Sequence, residues 1–373
     1  MYSGSAGEYK SEEWTASDRE VYDKSLLRLA RTPIEDRRPR NATGQIFVWK
    51  EGNVVVVRRN ETLDRVFKKL TVENFLSAPV VDDSISSQYC GVIDMLDLVC
   101  YTTDVLFSGE TSPAWIDFWQ RSNKFKETQV WEVLKSNRYA ARHKSPVDVY
   151  HTLSDGYSLL HAFEVLARTG CHRVPVVSNS NRIVGLYTES MAISDIRQSL
   201  HLFGRLAEMK VSDMRQSDVV FTIRDSDRAI DAFRKMAELS VSGLPIVDAE
   251  GVLIGSISIR DLRGCGTSGE HFSRLFWTVK DFKEQTRREY PKQSTITHWT
   301  SQDVPRTARY VTPNDTFADV VRAFNDGNLH RVYVVTQASA DRGAPVVTSV
   351  ISQRDLIAQV LITLGTMPAS AFA

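Results

Sequence analysis

One outline recurs four times along this 373-residue chain, and that repetition limits the fold more than any single motif does. A turn leads into a short apolar run and a polar loop follows. A second apolar run then passes an anchor residue: Gly91, Gly185, Gly255 or Ser349. Three residues after the anchor stands a polar side chain: Asp94, Thr188, Ser258 or Ser352. Six residues after it stands an aspartate in three copies, Asp97, Asp261 and Asp355, with Met191 in the fourth. The turns before the first apolar run are Leu76-Ser77-Ala78-Pro79, His172-Arg173-Val174-Pro175, Ser242-Gly243-Leu244-Pro245 and His330-Arg331-Val332-Tyr333. Copies two and four share His-Arg, an alternation that suggests two pairs of units.

Periodicity fills in each unit. Val54 to Val57 reads as a strand, and Leu63, Val66, Phe67 and Leu70 fall on one helical face. Pro79 to Val81 and Tyr89 to Ile93 read as two further strands, and Leu96, Val99 and Cys100 open a second helix. The unit is therefore strand, helix, strand, strand, helix, an α+β fold built from α/β-type repeats. Copy two is expected to begin near Val147 to Tyr150, copy three at Lys210 and copy four at Arg309. A unit this small cannot bury both its faces, and pairing consecutive units sheet to sheet would complete a core. The expected divisions are 1–44, a polar tail and a capping-box helix from Ser17 to Arg31; 45–106, the first repeat; 107–142, an aromatic connector; 143–200, the second repeat; 209–263, the third; 264–302, a second connector; and 303–365, the fourth. The first connector carries Trp115, Phe118, Trp119, Phe125 and Trp131, which predicts a helix packed across its neighbour or a partner-binding surface.

Lysine plus arginine equal aspartate plus glutamate, 46 each, so the formal net charge is zero, against a general nucleic-acid coat. Cys90, Cys100, Cys171 and Cys265 lack metal-ligand spacing and are expected as reduced thiols inside the cell. The start Met-Tyr-Ser-Gly-Ser-Ala-Gly-Glu lacks the apolar core of a secretory signal, and no apolar run approaches the ~20 residues of a membrane helix.

Two motifs mislead. Gly264-Cys265-Gly266-Thr267-Ser268-Gly269 has the letters of a dinucleotide fingerprint without the strand and helix that give it meaning, and is expected to be a flexible hinge. Arg260-Asp261-Leu262 and Arg354-Asp355-Leu356 echo a kinase catalytic loop but lack its asparagine five residues on. No metal or redox cofactor and no catalysis are expected.

The repeated polar residues carry the functional reading. An aspartate at a helix start can cap backbone N–H groups. It can also accept hydrogen bonds from a ribose diol, with a neighbouring hydroxyl on sugar or phosphate. Both roles stand open for Asp97, Asp261 and Asp355, with Ser258 and Ser352 beside the last two. A guanidinium forks onto phosphate, so His172-Arg173 and His330-Arg331 at equivalent positions suggest a phosphate site. Together these groups describe a nucleoside phosphate.

Four units with this Ser/Thr-x-x-Asp signature resemble cystathionine-β-synthase (CBS) repeats, two of which make a Bateman module. With His-Arg in copies two and four, Trp131-Glu132-Val133-Leu134 before copy two and Val241-Ser242-Gly243-Leu244-Pro245 in copy three, residues 45–365 resemble the γ regulatory subunits of AMP-activated (SNF1-type) protein kinases. The resemblance implies two Bateman modules in a pseudo-symmetric disc, with clefts for AMP, ADP or ATP. It also implies association with the catalytic α and scaffold β subunits of a kinase, in the cytoplasm or also the nucleus. Carried over by motif, Asp97, Asp261 and Asp355 would hold ribose. His172, Arg173, His330 and Arg331 would meet phosphate, and Thr188, Ser242, Ser258 and Ser352 would line clefts. Met191, Leu76 (where the family often has an arginine) and Asp94 depart from the pattern. The alternatives are a scaffold with vestigial clefts and an enzyme using the glycine run for a dinucleotide.

Overall fold

The structure is a computed structural model that describes residues 28–29, 31, 54–82, 88–109, 113–143, 152–154, 157–169, 171–178, 183–214, 220–290, 310–327, 329–337 and 344–365. The polar tail, most of the helix expected before Arg31, and the expected start of copy two at 147–150 lie outside these residues.

Each repeat builds the same three-stranded sheet. The strands are β1 (Val57–Arg58), β2 (Ser77–Asp82) and β3 (Gln88–Asp94) in repeat 1, and β4 (Leu153–Ser154), β5 (Arg173–Val177) and β6 (Ile183–Thr188) in repeat 2. Repeat 3 has β7 (Ile223–Arg224), β8 (Gly243–Val247) and β9 (Leu253–Ser258), and repeat 4 has β10 (Tyr310–Val311), β11 (Arg331–Gln337) and β12 (Pro345–Ser352). The first strand pairs parallel with the second and the second antiparallel with the third. A helix crosses between the first two strands of each repeat: Leu63–Val72, Leu159–Thr169, Ala229–Leu239 and Phe317–Gly327. Leu63, Val66, Phe67 and Leu70 are buried, as their spacing predicts.

All four sheets carry a bulge at one place, between Val80 and Val81, Val176 and Val177, Ile246 and Val247, and Val334 and Val335. The anchors Gly91, Gly185, Gly255 and Ser349 pair with the residue before the bulge. A bulge crowds the backbone opposite it, which favours glycine there. Gly91 has a φ of 140°, in the region that favours glycine. The buried hydroxyl of Ser349 has no hydrogen-bond partner.

The chain divides into two compact units, and they pair alternate repeats. The odd unit joins repeats 1 and 3 and both connectors; the even unit joins repeats 2 and 4. The core within each unit is helical. In the odd unit the Met95–Cys100 helix packs on Ala229–Leu239, and Arg234 Nη2 donates to Phe107 O at 2.7 Å. In the even unit Leu159–Thr169 packs on the Gln353–Thr363 helix, and Glu189–Ser199 packs on Phe317–Gly327. The physical reason is that each crossover helix is strongly two-faced, and a neighbouring helix covers its apolar stripe. The false kinase-loop arginines serve these contacts. Arg354 Nε donates to Ala167 O at 2.8 Å, near the carbonyl end of Leu159–Thr169, and Arg260 reaches Asn74 Oδ1 at 3.4 Å.

The connectors fill the odd unit. Phe125, from the Trp115–Glu127 helix, is buried against Phe67 and Phe272, with ring centroids 6.0 and 5.4 Å away. Phe125 thus bears out the packed-helix expectation, while Trp115 and Trp119 on the same helix remain 80% and 61% exposed. The glycine run is packed, not a hinge. A Cβ on Gly264 would sit 2.2 Å from Thr286 Oγ1 and 2.8 Å from the Phe282 ring. Gly266 has a φ of 82°, and the backbone N–H groups of Thr267 and Ser268 donate to the Glu270 carboxylate. That carboxylate occupies the place a dinucleotide phosphate would need. Among the described residues no helix is long and apolar enough to cross a membrane. The four cysteines are free thiols, and burial pushes Cys90 up to about 11.

Candidate functional site

The three-residue spacing of the signature makes a helix cap in every repeat. Asp97 Oδ2 accepts from Asp94 N, and Asp94 Oδ1 from Asp97 N, both at 2.8 Å. Asp261 Oδ2 accepts from Ser258 N at 2.8 Å and from Ser258 Oγ at 3.1 Å. Asp355 Oδ2 accepts from Ser352 N at 2.8 Å and from Ser352 Oγ at 2.7 Å. In repeat 2, Thr188 Oγ1 accepts from Met191 N at 3.2 Å, so that cap survives without the aspartate. The cap uses Oδ2 of each of these three carboxylates, and the surroundings of the carboxylates differ between the units.

In the odd unit a connector meets one of them. Lys283, on the Val279–Glu289 helix, donates from Nζ to Asp261 Oδ1 at 2.8 Å. Both side chains are almost wholly buried, 3% and 6% exposed. Burial pushes the Asp261 carboxyl up, but the Lys283 ammonium, its hydrogen bond and the Arg263 charge outweigh it and hold the group below the usual carboxylate range. Both oxygens of this expected ribose ligand are therefore committed within the protein. Asp97 is likewise buried, with Tyr139 of the first connector beside it. The Tyr139 hydroxyl donates to Val92 O at 2.7 Å; burial pushes it well above its ordinary range, and the Asp97 carboxylate adds to the rise.

In the even unit neither connector is present. Asp355 is half-buried. Arg173 and Arg331 begin β5 and β11, opposite Thr188 and Ser352 in register, so both basic pairs lie beside helix starts. His172 Nδ1 lies 2.8 Å from Glu189 Oε2, and the Glu189 carboxylate also acts on Arg331 from repeat 4. Burial lowers the Arg331 guanidinium from its ordinary value, while Tyr333 and Glu189 oppose that fall. Ser190 Oγ donates to Gln353 Oε1 at 3.2 Å, tying the two helix starts together. Glu189 thus pairs with His172 directly and acts electrostatically on Arg331. Arg173 and His330 stand next to them in sequence, at the equivalent strand starts. Ser242 holds the matching place before β8 in the odd unit, where its carbonyl accepts from Ile259 N at 3.1 Å.

Two residues that matter here escaped the reading of the sequence. Glu189 had a signal: it follows Thr188 in the one repeat whose signature lacks its aspartate. Lys283 had none, because it lies 22 residues from Asp261 in a segment with no repeat pattern.

A family model described as CBS domain matches residues 48–102, 144–197 and 211–265. The fourth repeat is not among these matches, yet it has the same strand order and bulge. A plant relative, the SNF1-related protein kinase regulatory subunit gamma-1-like of Arabidopsis thaliana, is 26% identical over 254 residues, covering 65% of this chain and 52% of the relative. Protein SDS23 of Yarrowia lipolytica is 23% identical over 335 residues, covering 84% of this chain and 60% of the relative. The chain therefore spans between half and two thirds of the length of these two relatives. A CBS domain-containing protein of Dictyostelium discoideum is 31% identical over 108 residues, covering 27% of this chain and 73% of the relative. A crystal structure from Methanocaldococcus jannaschii, described as a candidate archaeal homologue of g-AMPK, superposes with a TM-score of 0.60 at 15% identity, over 83% of this chain and 96% of that one. The repeated topology, its caps and these matches agree: the chain belongs to the CBS-domain family.

Proposed function

We propose that the chain is a non-catalytic regulatory subunit that binds AMP, ADP or ATP and controls an associated Ser/Thr kinase. One observation carries the reading: the even unit gathers His172 and Arg331 around its helix starts and keeps Asp355 half-buried rather than sealed. Asp355 would take the ribose diol and the basic pairs the phosphate, with Thr188 and Ser352 lining the cleft. Asp261 could serve a ribose only if Lys283 gave way, and Asp97 is buried at its helix start. The relation to a plant γ-type subunit supports a kinase α subunit and a β scaffold as partners, in the cytoplasm or the nucleus. Ligand would shift the kinase only by its differential affinity for two states of the complex. Calorimetric titration with AMP, ADP and ATP tests this. Micromolar binding lost in a double His330→Ala, Arg331→Ala variant is expected; no binding by the folded chain would count against it.

A scaffold with closed clefts is the second reading. It is favoured by the Lys283–Asp261 pair, by the span of the SDS23 relative and by the exposed Trp115 and Trp119. It expects no nucleotide affinity, and loss of a protein partner when both tryptophans become alanine.

A further inference from the structure

Glu189 is the first residue of the Glu189–Ser199 helix, and its side chain is 7% exposed. A carboxylate is rarely buried unless charge or hydrogen bonds hold it. Here Oε2 meets His172 Nδ1 at 2.8 Å, the backbone N–H of Glu189 is tied to His172 O at 3.1 Å, and Arg331 of repeat 4 lies within its field. The helix start adds a favourable dipole. Oε1 is buried with no hydrogen-bond partner, so the charge around it rather than full hydrogen bonding keeps the group there.

Repeat 4 provides an internal control. Its equivalent first helical residue is Gln353, 3% exposed. Gln353 Nε2 donates to Leu329 O at 2.8 Å, in the same turn that precedes β11, and its Oε1 accepts from Ser190 Oγ. The same position is thus neutral in one repeat and anionic in its pair, and the anionic one sits against the basic residues.

We infer that Glu189 is a resident anion of this basic cluster: it stands in for ligand phosphate in the free protein, and phosphate must enter against its charge. The inference rests on the nucleotide reading above and deepens it by assigning a residue that sets how much phosphate charge the site accepts. Two anions a few ångströms apart repel, the more so where one of them is buried as Glu189 is. A ligand with one phosphate is therefore disfavoured less than one with three, and a nucleoside without phosphate is unaffected.

The test is Glu189→Gln in the full chain, titrated with adenosine, AMP, ATP and inorganic pyrophosphate. Gln353 holds the equivalent place in repeat 4, which makes glutamine the conservative choice, and a melting curve checks folding. The variant should bind AMP about tenfold more tightly or better, gain more for ATP, and leave adenosine unchanged. The reverse change, Gln353→Glu, should weaken AMP binding. If the wild type binds AMP and Glu189→Gln binds it no more tightly, the inference falls and the nucleotide reading stands. Weaker binding of adenosine and AMP alike would make Glu189 a hydroxyl acceptor and also overturn it. If no nucleotide binds either protein, the nucleotide reading fails; pyrophosphate binding gained by the variant would still uphold the resident anion, and none by either would end both.

Discussion

The two compact units have one architecture and opposite treatments of the same motif. In the odd unit a connector residue reaches a helix-capping aspartate: Lys283 pairs with Asp261, while Asp97 is buried and its charge acts on Tyr139. In the even unit no connector is present, Asp355 stays half-buried, and Glu189 pairs with His172 and acts on Arg331. The motif alone builds a cap, which every repeat needs. Whether the cap's carboxylate can also meet a ligand depends on what the rest of the chain lays against it. A count of signatures therefore overestimates a count of sites.

The sharpest way to break this contrast is to remove Lys283. Lys283→Met leaves the Asp261 carboxylate buried without its partner, and unfolding should show a loss of about 3–5 kcal/mol. Pairing the change with Asp261→Asn should recover most of it; no recovery would mean that the pair is not what the odd unit depends on. The same pair sets a pH dependence. The folded carboxyl of Asp261 lies below its unfolded value of about 3.9, so its contribution is full above that pH and is lost as pH falls through the depressed folded value. The Lys283→Met, Asp261→Asn protein should lack that part of the acid unfolding.

A smaller effect tests the connector's fit. A methyl at Gly264 meets Thr286 and Phe282, so Gly264→Ala should cost about 1–3 kcal/mol, read from denaturant midpoints. A neutral result would restore the hinge that the sequence suggested.

Much of this was legible beforehand. The order strand, helix, strand, strand, helix followed from the apolar runs, and the caps from a spacing of three. The two-residue strands β4 and β7 were not placed, because a strand that short has no period to read. The helical contacts between alternate repeats were not legible for a different reason. An amphipathic face such as Leu63, Val66, Phe67 and Leu70 announces that something covers it, but not which helix does. Lys283 belongs to the same class of fact: its meaning is wholly tertiary. The repeat-4 anchor gives the smallest test. Ser349 alone among the anchors carries a buried hydroxyl without a partner, so Ser349→Ala should stabilise the even unit by about 1 kcal/mol.

The contrast between the units is tested most directly by titrating AMP into three proteins: the wild type, Asp355→Ala, and the charge-neutral Asp261→Asn, Lys283→Met pair. A ligand site confined to the even unit requires Asp355→Ala to lose about tenfold or more in affinity and the double variant to bind as the wild type does. Affinity kept in Asp355→Ala and lost in the double variant would put the site in the odd unit and contradict the assignment made here.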